Sequence, residues 1–119
     1  MLVTYTGRRS GRTFTTPVRY LVRDAKIRSF TSSTNQWWRN MRGGAEVVLL
    51  VAGRKVRCRA EAIADDPARV REALSEFLAQ FPQDAPYYEV DLDGRRAAVP
   101  GDLDRASLNT VMVEATPLE

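Results

Sequence analysis

The sequence predicts a mainly β, α+β fold: a small antiparallel barrel or rolled sheet with two or three helices packed outside it. Five or six runs rich in β-branched and aromatic residues are separated by short polar or glycine-containing turns. Residues 55–63 alternate, with Val56, Cys58, Ala60 and Ala62 on one face and Lys55, Arg57, Arg59 and Glu61 on the other. That is the pattern of a half-buried antiparallel strand. A single long segment carries a clear helical period. The 119 residues are one domain's worth of chain, read as a single unit over 1–119.

The elements follow in order. Residues 2–5 read as a first strand, and residues 13–22 as a second in which Pro17, unable to donate to a ladder, marks an edge or bulge. Arg23-Asp24-Ala25-Lys26 is a polar turn into a return strand over 26–32. The small polar run Ser32-Ser33-Thr34-Asn35 suits a helix N-cap, ahead of a short helix over 36–42 that Gly43-Gly44 ends. Unpaired N–H groups at that helix start are a candidate anion contact. Of Trp37 and Trp38, adjacent and so about 100° apart on a helix, one is expected to anchor the core and the other to wall a cavity.

Strands over 46–52 and 55–63 turn at Gly53-Arg54. Cys58, on the apolar face of the second, reads as a core residue. Asp65-Asp66-Pro67 opens the clearest helix, with Asp at the cap and Pro at the first helical position. Val70, Leu74, Phe77, Leu78 and Phe81 form its apolar stripe, and Pro82 stops it. Pro86-Tyr87-Tyr88 and the Asp93-Gly94 turn follow, then a short helix over 103–108 and a last strand over 109–115.

Composition narrows the chemistry. There is no histidine and one cysteine, which excludes an internal disulfide, a conventional zinc site and His-based nucleophilic machinery. No apolar run approaches the ~20 residues of a membrane span, and no secretory signal is visible, so a cytoplasmic protein is expected. The formal net charge is +3, but residues 1–59 hold 13 Lys/Arg against 2 Asp/Glu, while residues 60–119 hold 5 against 13. The first half is therefore +11 and the second −8, an asymmetry that points to an anionic ligand.

That charge concentrates in Thr6-Gly7-Arg8-Arg9-Ser10-Gly11-Arg12, which leads to Thr15-Thr16-Pro17. Glycines that admit φ > 0, forked arginine donors and hydroxyls make an anion cradle by composition. A solvated, charged hairpin turn has the same composition. The loop is neither a P-loop nor a dinucleotide fingerprint, because Gly-Lys-Ser/Thr and a following helix are both missing.

This loop, then Thr15-Thr16-Pro17, then Trp37-Trp38-Arg39-Asn40 ahead of two paired strands, resembles the deazaflavin-dependent nitroreductase family over residues 2–82. These are split β-barrels also described as coenzyme F420-dependent quinone reductases. The resemblance implies that Arg8, Arg9, Ser10 and Gly11 grip the phosphate and acidic tail of F420, with Thr16 and Pro17 along its ring. It also implies that Ser32, Ser33 and Thr34 line the cofactor, and that Trp37 and Asn40 wall the site near the substrate. Where the family often has Pro-Arg this chain has Thr13-Phe14, so Arg12 or Arg19 is expected to supply the missing charge. Tyr87, Tyr88 and Ser33 are the expected substrate contacts, Tyr87 and Tyr88 standing in for tyrosines near the family's C-terminus.

The activity implied is hydride transfer from reduced F420 to a small electron-poor acceptor: a quinone, nitro compound or activated alkene. The alternatives are an FMN-binding or non-catalytic relative on the same barrel, and a nucleic-acid-binding barrel. Nucleic acid is not expected as a partner, since no motif for it appears; pairing into a homodimer is in keeping with the family.

Overall fold

Alternating apolar residues build the sheet, and turn residues set its connections. The computed structural model describes residues 1–118. The single unit expected over 1–119 thus takes in Glu119, which lies outside the described residues. Seven strands form one antiparallel sheet: β1 (Leu2–Thr6), β2 (Thr13–Pro17), β3 (Tyr20–Arg23), β4 (Lys26–Ser32), β5 (Ala45–Val51), β6 (Arg54–Ile63) and β7 (Thr110–Pro117). Their spatial order is β2-β1-β5-β6-β7-β4-β3. The helices are α1 (Pro67–Gln80) and α2 (Pro100–Leu108), with 3₁₀ turns at Trp37–Met41 and Pro82–Tyr88. None is long and apolar enough to cross a membrane.

The segment 13–22 corrects a sequence expectation. It is two strands, β2 and β3, on opposite edges of the sheet, joined only by Val18 and Arg19. Pro17 ends β2 because it has no N–H to donate. Val18 N–H still reaches Met1 O at 2.9 Å, and Tyr20 is already paired with Ser29. The two edges must therefore meet, and the sheet curls into a half-barrel.

Curling gives the sheet an inside and an outside. Inside lie Val3, Val47, Leu49, Cys58, Val111 and Val113, closed at one end by Trp38 and Met41 from the first 3₁₀ turn. The Cys58 thiol is fully buried, and burial pushes its pKa up. Outside, the α1 stripe Val70, Leu74, Phe77 and Leu78 packs on Phe30 of β4 and Met112 of β7. Asp66 caps α1 by accepting from Arg69 N–H at 3.2 Å, with Pro67 at the first position.

Three helical expectations change. The segment 36–42 is a five-residue 3₁₀ turn whose cap, Gln36, makes no side-chain cap bond. The polar run before it is spent on itself: Ser32 Oγ meets Thr34 Oγ1 at 2.8 Å and accepts from Thr34 N–H. The start of an α-helix, on which the expected anion contact depended, is replaced there by a 3₁₀ turn. The last helix starts earlier than expected, at Pro100, again with proline at its first turn. Residues 82–88, for which no helix was expected, wind into the second 3₁₀ turn.

On the outer face of β7, Glu114 is 6% exposed and holds three cations: Arg28 at 2.9 Å, Arg69 at 3.0 Å and Lys26 at 3.3 Å. Register explains the cluster. Lys26 and Arg28 share a face of β4 beside β7, and Arg69 descends from the first turn of α1. Burial alone would raise the Glu114 carboxyl pKa, but the hydrogen bonds and charges of Arg28 and Lys26 outweigh it, and the net is a lowered value. A lowered folded-state pKa gives stability that is present above the unfolded value and lost as pH falls through the folded one. We predict that Glu114→Gln destabilises the protein by about 2–4 kcal/mol at neutral pH, since it leaves three cations facing a neutral group. The gap in melting temperature between variant and parent narrows in acid; a constant gap would assign the loss to packing.

Candidate functional site

The hairpin joining β1 to β2 is closed by Gly7 N–H to Arg12 O at 2.8 Å, and Gly11 N–H returns to Gly7 O at 2.9 Å. Gly11 sits at φ +69°, where glycine is favoured, and open space surrounds its missing Cβ. A Cβ on Gly7 would instead meet the Phe14 ring and Ser10 Oγ at 2.9 Å, so that glycine makes room for an aromatic side chain. Arg12 N–H turns back to Ser10 Oγ at 3.2 Å, and Arg8 N–H goes to Asn40 Oδ1 at 2.9 Å. The backbone of the expected nest is thus largely committed to the protein. Its anion-binding capacity resides in arginine side chains.

Those side chains open onto a cleft of about 650 Å³. Arg8 and Arg9 come from the hairpin, and Arg39 and Arg42 from the first 3₁₀ turn and its end. No carboxylate lines this cleft among the described residues, and none of the four arginines has an ion-pair partner there. Three fixed contacts hold the cluster. The Arg8 guanidinium donates to Arg42 O, while Arg39 and Arg42 lie over the buried Trp38 ring at 5.5 and 5.0 Å. One wall is aromatic: Phe14 stacks on Tyr5 at 5.7 Å, and Tyr5 lies 6.2 Å from Trp37.

Trp37 is also the boundary of a second cleft, of about 470 Å³, where the two sheet edges meet. Thr16 and Pro17 end β2 on one side, and Phe30 and Thr31 of β4 stand on another. The second 3₁₀ turn closes it with Tyr87 and Tyr88. An Arg19–Asp84 ion pair at 2.6 Å pins this turn over the strand junction. Tyr88 is held high in pKa, first by burial and then by the charges of Tyr87 and Asp84, against the opposing charge of Arg19. Its phenol stays protonated at neutral pH, and the hydroxyl's one hydrogen bond among the described residues is a long one, 3.5 Å to Phe30 O. It is a nearly unspent donor at the edge of the cleft. Tyr87 stands edge-on to it at 5.0 Å and is 63% exposed.

The structure brings many of the expected site residues together and separates others. Arg8, Arg9, Ser10, Trp37 and Asn40 share the larger cleft; Thr16, Pro17, Trp37, Tyr87 and Tyr88 share the smaller one. Gly11, Arg12, Ser33 and Thr34 line neither. Ser33 N–H is tied to Asn109 O at 2.9 Å, and Ser32 faces a separate 230 Å³ hollow beside Arg105. Arg19, one of the two arginines expected to replace a missing charge, is engaged with Asp84 in the other cleft. Arg39 and Arg42 supply that charge to the arginine cleft instead. Sequence reasoning passed over them, and over Tyr5, Phe14, Thr31 and Asn35. The pairing of Tyr5 with Phe14 was readable from hairpin register; the rest required the fold.

Trp37 is fixed from both sides. Its Nε1–H donates to Thr31 Oγ1 at 3.2 Å, and its carbonyl accepts Asn40 Nδ2 at 2.9 Å. Asn40 thereby links the indole's backbone to the arginine hairpin. Among the described residues no group of His, Cys, Asp and Glu is placed to hold a metal ion.

Solved structures share this fold, among them the following two. One is a protein of unknown function from Agrobacterium tumefaciens, at TM-score 0.59 and 18% identity over 95% of this chain. The chain spans about half of that protein's length, 46%. The other is described as an F420 reductase, at TM-score 0.53 and 13% identity over 99% of this chain and 85% of its own. At these identities the likeness is one of fold. No protein-family model and no curated protein matches the chain.

Asn40→Ala removes the acceptor of Arg8 N–H and the donor to Trp37 O. We predict a loss of about 1 kcal/mol in stability, the scale of such hydrogen bonds. Amide exchange at Arg8 should accelerate while the β1–β2 ladder keeps its protection. Unchanged exchange at Arg8 would show that the latch does not hold the hairpin.

Proposed function

We propose that this chain binds coenzyme F420 across the two clefts and is a deazaflavin-dependent reductase of small electron-poor acceptors. One observation carries the reading: a cleft with four arginines, an aromatic wall and, among the described residues, no carboxylate adjoins, through Trp37, a mostly uncharged cleft large enough for a flat ring. Two further points support it: the family resemblance of the hairpin and tryptophan segments, and a fold neighbour described as an F420 reductase.

The residues present fit the group. Arg8, Arg9, Arg39 and Arg42 would hold its phosphate and acidic tail, whose charges need cations that no internal carboxylate has neutralised. Thr16, Pro17 and Trp37 would flank the ring. Reduced F420, when bound, supplies the hydride that a quinone, nitro compound or activated alkene accepts. The protein's own contribution is placement: Trp37 and Tyr88 would border the ring in the smaller cleft and fix its orientation. The Tyr88 hydroxyl, protonated and barely engaged, would donate to an acceptor oxygen as negative charge gathers there. Tyr87, more exposed, would frame the entry. Ser33 lines neither cleft, and no contact to the acceptor is proposed for it.

FMN is the competing ligand: it has a phosphate but no acidic tail, and so needs fewer of the four arginines. Titration with oxidised F420 and with FMN at two salt concentrations separates the two. We expect F420 to bind more tightly and with the steeper salt dependence. Arg9→Ala should weaken it by about 1.5–3 kcal/mol, as loss of a charge-assisted contact does. Preference for FMN would keep the site and change the cofactor; binding of neither would remove the reading.

A further inference from the structure

We propose that Thr31 is a positioning residue whose hydroxyl hydrogen is forced into the smaller cleft, where it donates to a carbonyl oxygen on the edge of the bound ring. The inference rests on the deazaflavin reading and assigns a role to a residue that neither the motif nor the resemblance pointed to. Thr31 lies on β4 opposite Val111, on the interior side of the sheet, and is 3% exposed. It lines the smaller cleft beside Asn35 and Trp37.

A hydroxyl has one hydrogen to give and two lone pairs to accept with. At Thr31 both lone pairs are claimed. Trp37 Nε1–H reaches Oγ1 at 3.2 Å and Asn35 Nδ2 reaches it at 2.7 Å. The hydroxyl hydrogen must then take the remaining direction, and no acceptor for it is found among the described residues. The stiff χ1 of a β-branched side chain fixes the oxygen, and the two bonds it accepts leave the hydrogen that one direction. A nine-tenths buried donor with no partner is costly until an acceptor arrives.

The occupant must therefore present an acceptor atom at that spot. The pyrimidinedione edge of a flavin or deazaflavin has carbonyl oxygens and meets that demand; an N–H in the same place would face a second donor. Thr31 on this account selects the ring edge, which F420 and FMN share, while the arginine cleft discriminates between their tails.

The test uses the full chain, oxidised F420 as probe, and the variants Thr31→Val, Thr31→Ser and Asn35→Ala. Affinity is read by titration, and ring carbonyl stretching by infrared difference spectra of the complexes. We expect Thr31→Val to weaken binding about tenfold, the scale of one lost hydrogen bond to a buried partner. Thr31→Ser, which keeps the hydroxyl, should stay within about twofold on the same scale. One ring carbonyl should absorb at lower frequency with the unmodified protein and Thr31→Ser than with Thr31→Val. Should Thr31→Val fold poorly, the Thr31→Ser complex and the carbonyl frequency of the unmodified complex against free cofactor still decide. Equal affinities for Thr31→Val and parent would overturn the assignment. So would weaker binding with an unchanged carbonyl frequency, which would mean Thr31 acts only by holding Trp37. Loss confined to Asn35→Ala would move the donor to that amide. If the unmodified protein binds no F420, the reading of the clefts falls first and this assignment falls with it.

Discussion

Two residues, Val18 and Arg19, carry the chain from one edge of a seven-stranded sheet to the other. Laid flat, the outer strands would stand about 29 Å apart at the usual strand spacing. The Cα path from Pro17 to Tyr20 reaches at most ~11 Å. The sheet has to curl until its edges meet, and the smaller cleft is the seam where they do. Thr16, Pro17 and Arg19 border it because they are the crossing; Phe30 and Thr31 border it because β4 lies beside the arriving β3. Pro17 belongs at the seam as a residue that can end a ladder without leaving an N–H unpaired.

Curling also divides labour between the faces of β4 and β7. Ile27, Ser29 and Thr31 look inward, opposite Ala115, Val113 and Val111; Arg28 and Phe30 look outward, to Glu114 and to α1. The outward face fixes the strand by hydrophobic packing on Phe77 and by a buried carboxylate ringed by cations. The inward face can then present a hydroxyl to the seam. Trp37 gains from this rigidity at one end, through Thr31, and is tied at the other to the arginine hairpin through Asn40. The arginine cleft and the seam thus lie on either side of one residue, Trp37, held by a hydrogen bond at its indole and another at its backbone carbonyl.

Much of this was legible in the sequence where local rules govern. The α1 stripe with its Asp66-Pro67 start, the alternation of β6 and the burial of Cys58 follow from periods and caps that no distant contact overrides. The concentration of arginine in the first half likewise foretold a cationic cleft. Other features depended on partners far along the chain. Nothing local shows that residues 13–22 serve two edges, because each half is a good strand by itself. Arg39 and Arg42 look like ordinary surface charges until Arg8 donates to the Arg42 carbonyl. Thr31 reads as one more β-former until Trp37 and Asn35 converge on it. The polar run 32–35 misled because its hydroxyls, well suited to capping, found each other first.

On the function proposed above, the two clefts are one binding site divided by Trp37. Chemical-shift mapping of the protein during titration with oxidised F420 tests it most directly. The Trp37 indole N–H is expected to move together with Arg8 and Arg9 on one side and with Thr31 and Tyr88 on the other, along a single saturation curve. Shifts confined to one cleft, or centred on the outer face of β6 around Arg57 and Arg59, would contradict it.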